Sequence, residues 1–253
     1  MNRKVKDALT ISIAAAFVFV FALWGICKSD DAVSESERRP LKQFPTLNVE
    51  EVLSGRFQSN FESYTLDQFP LRDTFRTLKA LAVRDLFREK DNNGIYVADG
   101  YAAKLDPTLN ESSLDHAADR FRYVYETYFK DTGANVYLSV IPDKNYFLAA
   151  ENGYPVMDYD KLFALVQEKT DFAQYIDLTD ALSLSSYYRT DTHWRQEALV
   201  PVASLLADAM DVSIPTDFTP VTLDTPFYGV YRGQSALPLA PDGLTYLTND
   251  VLD

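Results

Sequence analysis

The 253-residue chain carries 24 basic against 37 acidic side chains, a formal net charge of −13, with 47% hydrophobic and 13% aromatic residues. That is too apolar for a disordered chain, and the length allows one sizeable domain or one domain with an extension. So acidic a surface repels phosphate backbones, which argues against nucleic acid and leaves a cationic or neutral ligand such as uncharged polysaccharide.

From Ala8 to Ile26 the chain is nearly all apolar, with Arg3, Lys4 and Lys6 before it and Asp30, Asp31, Glu35 and Glu37 after it. At about 1.5 Å per residue this run nearly spans a hydrocarbon core of about 30 Å, and the charge asymmetry places the N-terminus in the cytoplasm. Trp24 falls where an interfacial aromatic belongs. A cleaved signal peptide would have a shorter apolar region and a small-x-small site, and nothing so clean follows Phe21. A lipoprotein would want a small residue before Cys27 and an aliphatic one at the third position before it, where Ile26 and Trp24 stand. Residues 1–28 therefore read as a cytoplasmic stub and single-pass anchor in the cell membrane, with the rest outside the cytoplasm. Cys27 is the lone cysteine, so no intramolecular disulfide supports the fold.

Residues 29–48 read as a charged tether whose Pro40 and Pro45 disfavour regular structure before it docks. Val52, Phe57, Phe61 and Tyr64 keep helical spacing. Phe69-Pro70-Leu71-Arg72-Asp73 then opens another helix with Phe75, Leu78, Leu81 and Leu86 on one face. Asp99-Gly100 between two β-prone runs, 94–98 and 101–105, predicts a hairpin, because that turn needs positive φ. From Ser113 the apolar residues Leu114, Ala117, Ala118, Phe121, Val124, Tyr125 and Tyr128 predict an amphipathic helix stopped by Gly133.

A buried strand at 135–141, a helix over 160–170, a strand at 175–178 and a helix over 195–210 follow, with Pro201 bending the last or delaying its start. This alternation predicts an α/β fold on a parallel sheet covered by helices on both faces, with 49–253 as one domain. In such sheets ligands sit at the carboxyl ends of strands, where Pro142-Asp143-Lys144 and the Asp191–Trp194 loop both fall. After Asp211, five prolines predict a loop with neither a capped helix nor a closing strand. The sheet is therefore expected to be C-terminally incomplete.

The chemistry concentrates in Tyr187-Tyr188-Arg189-Thr190-Asp191-Thr192-His193-Trp194, which holds one of only two histidines. A carboxylate at i−2 can accept from the imidazole Nδ1–H while Nε2 points outwards, the arrangement a nucleophile needs. A helix cap at Asp191 or Thr192 is the structural alternative. Trp194 and Tyr188, with Tyr187, are candidates for a floor under a sugar, and Lys144 for an anion or oxyanion contact. His116 lies on a helix and no second ligand pair has metal spacing, so no metal site is expected.

The tract 188–194 resembles the signature of the DHHW family of Gram-positive surface proteins, with Thr192 in place of the usual histidine. Arg39-Pro40-Leu41 with Phe44-Pro45, Phe69-Pro70-Leu71-Arg72-Asp73, the 94–105 hairpin, Pro142-Asp143-Lys144 and Phe227-Tyr228-Gly229 match that family's order, over roughly residues 38–235. That family is similar to the SGNH-like acyltransferases that O-acetylate alginate. The resemblance implies His193 as general base and Asp191 as its orienting carboxylate in a serine mechanism without a cofactor. The expected activity is O-acetyl transfer to, or ester removal from, a cell-envelope polysaccharide, with that glycan or an acyl donor protein as partner. The implied Asp-Ser-Tyr turn is missing. Ser63 sits upstream in a helix, Ser235 is a weak nucleophile candidate, and the serine block is expected beyond Asp253. The alternative is a non-catalytic envelope protein that binds glycan or a partner.

Overall fold

The computed structural model describes residues 2–251, a mixed α/β chain with two compact units divided between Phe87 and Arg88.

In the first unit, α1 (Arg3–Cys27) begins where the Asn2 side chain accepts from the Lys4 N–H. It is long and apolar enough to cross a membrane, and none of its apolar window is buried in protein. Short strands β1 (Val33–Ser34) and β2 (Arg39–Pro40) pair antiparallel, followed by α2 (Val49–Leu53), α3 (Arg56–Asp67) and α4 (Arg72–Leu81), which runs on into a π-turn at Ala82–Leu86. Buried Asp67 ends α3 and ties the 29–48 segment down. It accepts from the two terminal guanidinium nitrogens of Arg39 at 2.9 and 2.6 Å and from the Lys42 N–H at 2.9 Å. The Arg39 bond, outweighing desolvation, lowers the Asp67 pKa to about 2. Beside it, Glu37 pairs with Arg72 at 2.6 Å and Arg76 at 3.2 Å.

The second unit opens with β3 (Ile95–Ala98) and β4 (Tyr101–Lys104), an antiparallel hairpin turned at Asp99 and Gly100 with φ of 48° and 79°. This is the expected turn. Helix α5 (Glu111–Tyr128) is capped by Asn110 and ends before Gly133. There follow β5 (Tyr137–Leu138), α6 (Asn145–Leu148), α7 (Tyr159–Lys169), β6 (Gln174–Tyr175) and α8 (Val200–Ala209), with Pro201 in its first turn delaying its start. The chain then forms β7 (Thr219–Phe227), α9 (Val230–Ser235) and β8 (Asp242–Thr248).

Two expectations are corrected. The parallel sheet reduces to one ladder of two residues per strand, Tyr137 with Gln174 and Leu138 with Tyr175. The apolar runs are there, but among the described residues no further strand hydrogen-bonds to either. A sheet's extent depends on partners that periodicity does not supply. The proline-rich C-terminal stretch is not loop: β7 and β8 pair antiparallel, from Thr219 with Thr248 to Phe227 with Asp242, with an irregularity between Leu223 and Phe227. Each strand of this two-stranded sheet keeps a free edge, where a proline's missing N–H is tolerated.

Three buried clusters hold the second unit. Tyr96, Ala103, Leu148 and Ala149 join the hairpin to α6; Ile176, Leu178, Leu182 and Val202 gather around the stretch after β6; Ile95 and Ala102 pack on Tyr231 of α9. The 187–194 loop runs among these clusters.

Candidate active site

The loop closes on itself. Tyr187 and Trp194 form an antiparallel bridge, Tyr188 N–H donates to the His193 carbonyl at 3.1 Å, and Arg195 N–H donates to that of Ser186 at 2.7 Å. Between these rungs the chain presents Asp191 and His193 from a fixed base.

Asp191 is 1% exposed and the His193 side chain 76%. Their contact is Oδ1 to Nδ1 at 2.6 Å, and the same oxygen accepts the His193 N–H at 3.1 Å. Asp191 Oδ2 takes the Val230 N–H at 2.9 Å. Desolvation alone would raise the Asp191 pKa. The hydrogen bonds from Val230 and His193 outweigh it and hold the carboxyl below its ordinary value. The result is an ionised, buried acceptor gripping one imidazole nitrogen while the rest of the ring faces solvent. Such a carboxylate fixes the tautomer that leaves Nε2 as a base and stabilises the imidazolium once formed. Among the described residues no hydroxyl is bonded to Nε2.

The loop is clamped from four sides. β4 contributes the Ala102 N–H, donating to the Arg189 carbonyl at 2.7 Å. Asp242, at the start of β8, accepts from the N–H groups of Arg189 and Thr190 at 2.8 and 2.9 Å and from the Thr190 hydroxyl at 2.6 Å. Gly229 N–H donates to Thr190 Oγ1 at 2.9 Å, and Tyr231 N–H to the Thr190 carbonyl at 3.0 Å. A Cβ at Gly229 would stand 2.2 Å from the carbonyl carbon and oxygen of Thr190, so only glycine fits this approach.

Lys144 is the fourth clamp. It is 2% exposed, and its ammonium donates to the carbonyls of Tyr188 at 2.7 Å and Arg189 at 3.3 Å, with the Tyr231 ring 5.1 Å away. Burial pushes its pKa down to about 8, partly offset by Asp242, Asp191 and Asp143. Its neighbour Asp143 accepts from the Tyr159 hydroxyl at 2.8 Å, and Tyr187 donates to the Pro142 carbonyl. The Pro142-Asp143-Lys144 turn thus meets the dyad loop, as its placement after a strand suggested. Lys144 reaches backbone carbonyls instead of an open anion site.

The other sequence candidates take supporting places. Tyr188 is buried with its ring 4.9 Å from Phe227, and Trp194 packs on the cluster around Ile176 and Val202. Neither forms an open sugar floor in this arrangement. Ser235 ends α9 at 0% exposure; its hydroxyl donates to the Arg232 carbonyl at 3.3 Å and accepts the Leu237 N–H at 3.2 Å. That hydroxyl is committed to its own turn. Ser63 lies in α3, as expected of a structural serine, and bonds to the Ser59 carbonyl. Thr192, at the signature's altered position, interacts with Tyr231. Sequence reasoning missed Thr190, Val230 and Asp242. Gly229 lay within the Phe227-Tyr228-Gly229 match, but Asp242 carried no signal in a stretch read as loop.

No family model matches the sequence, and no curated protein does. Solved structures do. The O-acetyltransferase domain of Pseudomonas putida AlgJ is 20% identical with a TM-score of 0.47, over 61% of this chain and 64% of that one. Bacillus cereus PatB1 with a sulfonyl adduct is 12% identical with a TM-score of 0.46, over 62% of this chain and 56% of that one. The DHHW family protein from Eubacterium siraeum is 20% identical with a TM-score of 0.51, over 63% of this chain and 56% of that one. The chain thus spans a little over half the length of that protein, and it is similar in fold to it.

Proposed function

We propose that Asp191 and His193 are the carboxylate and general base of a serine-dependent acyl transfer on a cell-envelope polysaccharide, performed outside the cytoplasm by a domain anchored through α1. The observation that carries this reading is the 2.6 Å bond between a buried, ionised Asp191 and an imidazole that is otherwise open to solvent. A seryl hydroxyl delivered to Nε2 would lose its proton there as its oxygen bonds to the acyl carbon. The imidazolium, steadied by Asp191, would return that proton to the departing alkoxide. Tyr188, Trp194 and Lys144 serve this reading as positioning residues, since each packs on or bonds to the loop. Arg3, Lys4 and Lys6 in the first turns of α1 and the acidic residues after it support the external orientation. Residues 29–48 would then join the anchor to a domain over 49–253.

The test is turnover of an activated acetyl ester, and labelling by a serine-directed phosphonate, in the full-length protein and in His193→Ala. Loss of turnover in the variant supports the role, and equal turnover removes it.

A second reading has one observation in its favour: among the described residues no hydroxyl is bonded to His193 Nε2. On that reading the protein binds an envelope glycan or a partner without chemistry. It predicts polysaccharide binding that survives His193→Ala and no phosphonate labelling in the parent.

A further inference from the structure

The first unit carries two offset stripes on α4. Leu71, Phe75 and Leu78 fall at i, i+4 and i+7 on one face, continued by Phe69, and all four are exposed, Leu78 to 56%. Arg72, Arg76 and Lys79 repeat the same spacing one residue on, and Arg72 and Arg76 are drawn to Glu37 at 2.6 and 3.2 Å. Charge is gathered on one side and apolar surface left on the other.

The position of α4 against α1 indicates what covers that surface. Phe21 of α1 stacks on Phe69 at 5.4 Å and meets Phe75 at 5.5 Å, and Phe17 meets Phe75 at 6.5 Å. Phe21 and Phe17 lie six and ten residues before Cys27, so about 9 and 15 Å back from the end of α1 along its axis. A bilayer that takes α1 in as far as Trp24 therefore reaches the Phe69–Phe75 rings as well. An amphipathic helix at an interface sinks its apolar face about 5–10 Å into the headgroup–acyl boundary, with cationic side chains at its polar edge. An apolar groove of about 730 Å³ between α1 and α3, lined by Phe17, Phe21, Phe44, Phe61, Tyr64 and Phe69, leaves room for an acyl chain of the same leaflet.

We propose that the Phe69–Leu71–Phe75–Leu78 face is a lipid-binding surface that seats the first unit in the interfacial layer of the membrane crossed by α1. This rests on α1 being a membrane span and is independent of the chemistry at His193. Lipid occupies the face, in place of a second protein or an unbound surface.

The test uses the full chain with Cys27→Ser, reconstituted in phosphatidylcholine–phosphatidylglycerol vesicles and spin-labelled at single cysteines replacing Leu78, Ile13 or Asp119. Ile13 lies mid-span in α1 and Asp119 is an exposed position on α5. The reading is relaxation by oxygen relative to a water-soluble nickel chelate. The expected result is lipid-like ratios at Ile13 and Leu78, both several-fold above Asp119. A Leu78 ratio equal to that of Asp119, with Ile13 lipid-like, overturns the surface while keeping the span. A water-like Ile13 overturns both. Neither result bears on turnover at His193.

Discussion

The carboxylate of Asp242 and the hydroxyl of Thr190 meet at 2.6 Å across 52 residues of sequence. Through this contact the β7–β8 hairpin governs the loop that presents Asp191 and His193, because Thr190 is the residue before Asp191. Three donors converge on one carboxylate, two of them backbone N–H groups. Hydrogen bonds to a charged group are worth about 1.5–3 kcal/mol each, and leaving a partner unsatisfied costs its desolvation. Asp242→Ala is therefore expected to lower stability by about 2–3 kcal/mol in urea denaturation and to broaden the His193 ring resonances. Unchanged resonances would separate the hairpin from the dyad.

Gly229 allows no side chain. Its absent Cβ would sit 2.2 Å from the Thr190 carbonyl, against backbone that the Asp242 and Tyr231 contacts hold in place. Overpacking typically costs about 1–3 kcal/mol, and rigid backbone leaves little room for relief. Gly229→Ala is expected to cost at least the upper end of that range and to weaken the His193–Asp191 contact. Thermal unfolding and the NMR resonances of the His193 ring would show both.

The two dyad members should separate in stability as sharply as they do in burial. His193→Ala removes an exposed ring and one of three hydrogen bonds to Asp191, whose Oδ1 keeps the N–H of residue 193, and should cost about 1 kcal/mol. Asp191→Ala strands the buried N–H groups of Val230 and His193 and is expected to cost about 2 kcal/mol or more. Equal losses in denaturant titrations would contradict this account of the site.

Acid should loosen the first unit through Asp67. Its folded pKa of about 2 lies below the 3.8 of a free aspartate, so the folded state holds fewer protons than the unfolded state between those values. The stabilisation is fully present above about pH 4 and is lost as pH falls through the folded pKa of about 2. Asp67→Asn should flatten the acid limb of a stability–pH curve, and an unchanged limb would assign it to other carboxylates.

Lys144 gives a slope of the same sign in base, for a different reason: burial penalises its charged form. Its pKa of about 8, against 10.5 for a free lysine, means the unfolded chain binds more protons between those values. Stability should therefore rise with pH from about 8 to 10.5, and Lys144→Met should abolish that rise while leaving the Tyr188 and Arg189 carbonyls short of a donor. Stability curves of the two proteins over that range are the check.

Local signals proved legible where local chemistry decides the outcome. Asp99-Gly100 gives a positive-φ turn wherever it lies between β-prone runs, and Pro201 displaces a helix start regardless of context. The apolar run before Cys27 forms a helix by composition alone. The i, i+2 spacing of Asp191 and His193 likewise makes their hydrogen bond a matter of short-range geometry.

What the sequence left open depended on distant partners. Whether residues 135–141 and 175–178 build a sheet depends on how many strands meet them, and among the described residues they pair with each other alone. Lys144 looks like an anion ligand in sequence and becomes a loop clamp because the fold buries it under Tyr188 and Arg189. Ser235 reads as a free hydroxyl until α9 turns it inward. Thr190, Gly229 and Asp242 acquire meaning only once the β7–β8 hairpin returns to the dyad loop. The chain by itself determined an apolar N-terminal helix, a tight hairpin and a carboxylate within reach of its histidine, all interactions over a few residues. Tertiary structure alone decided which side chains are desolvated, and burial is what turns that carboxylate into a fixed, ionised acceptor and that lysine into a strut.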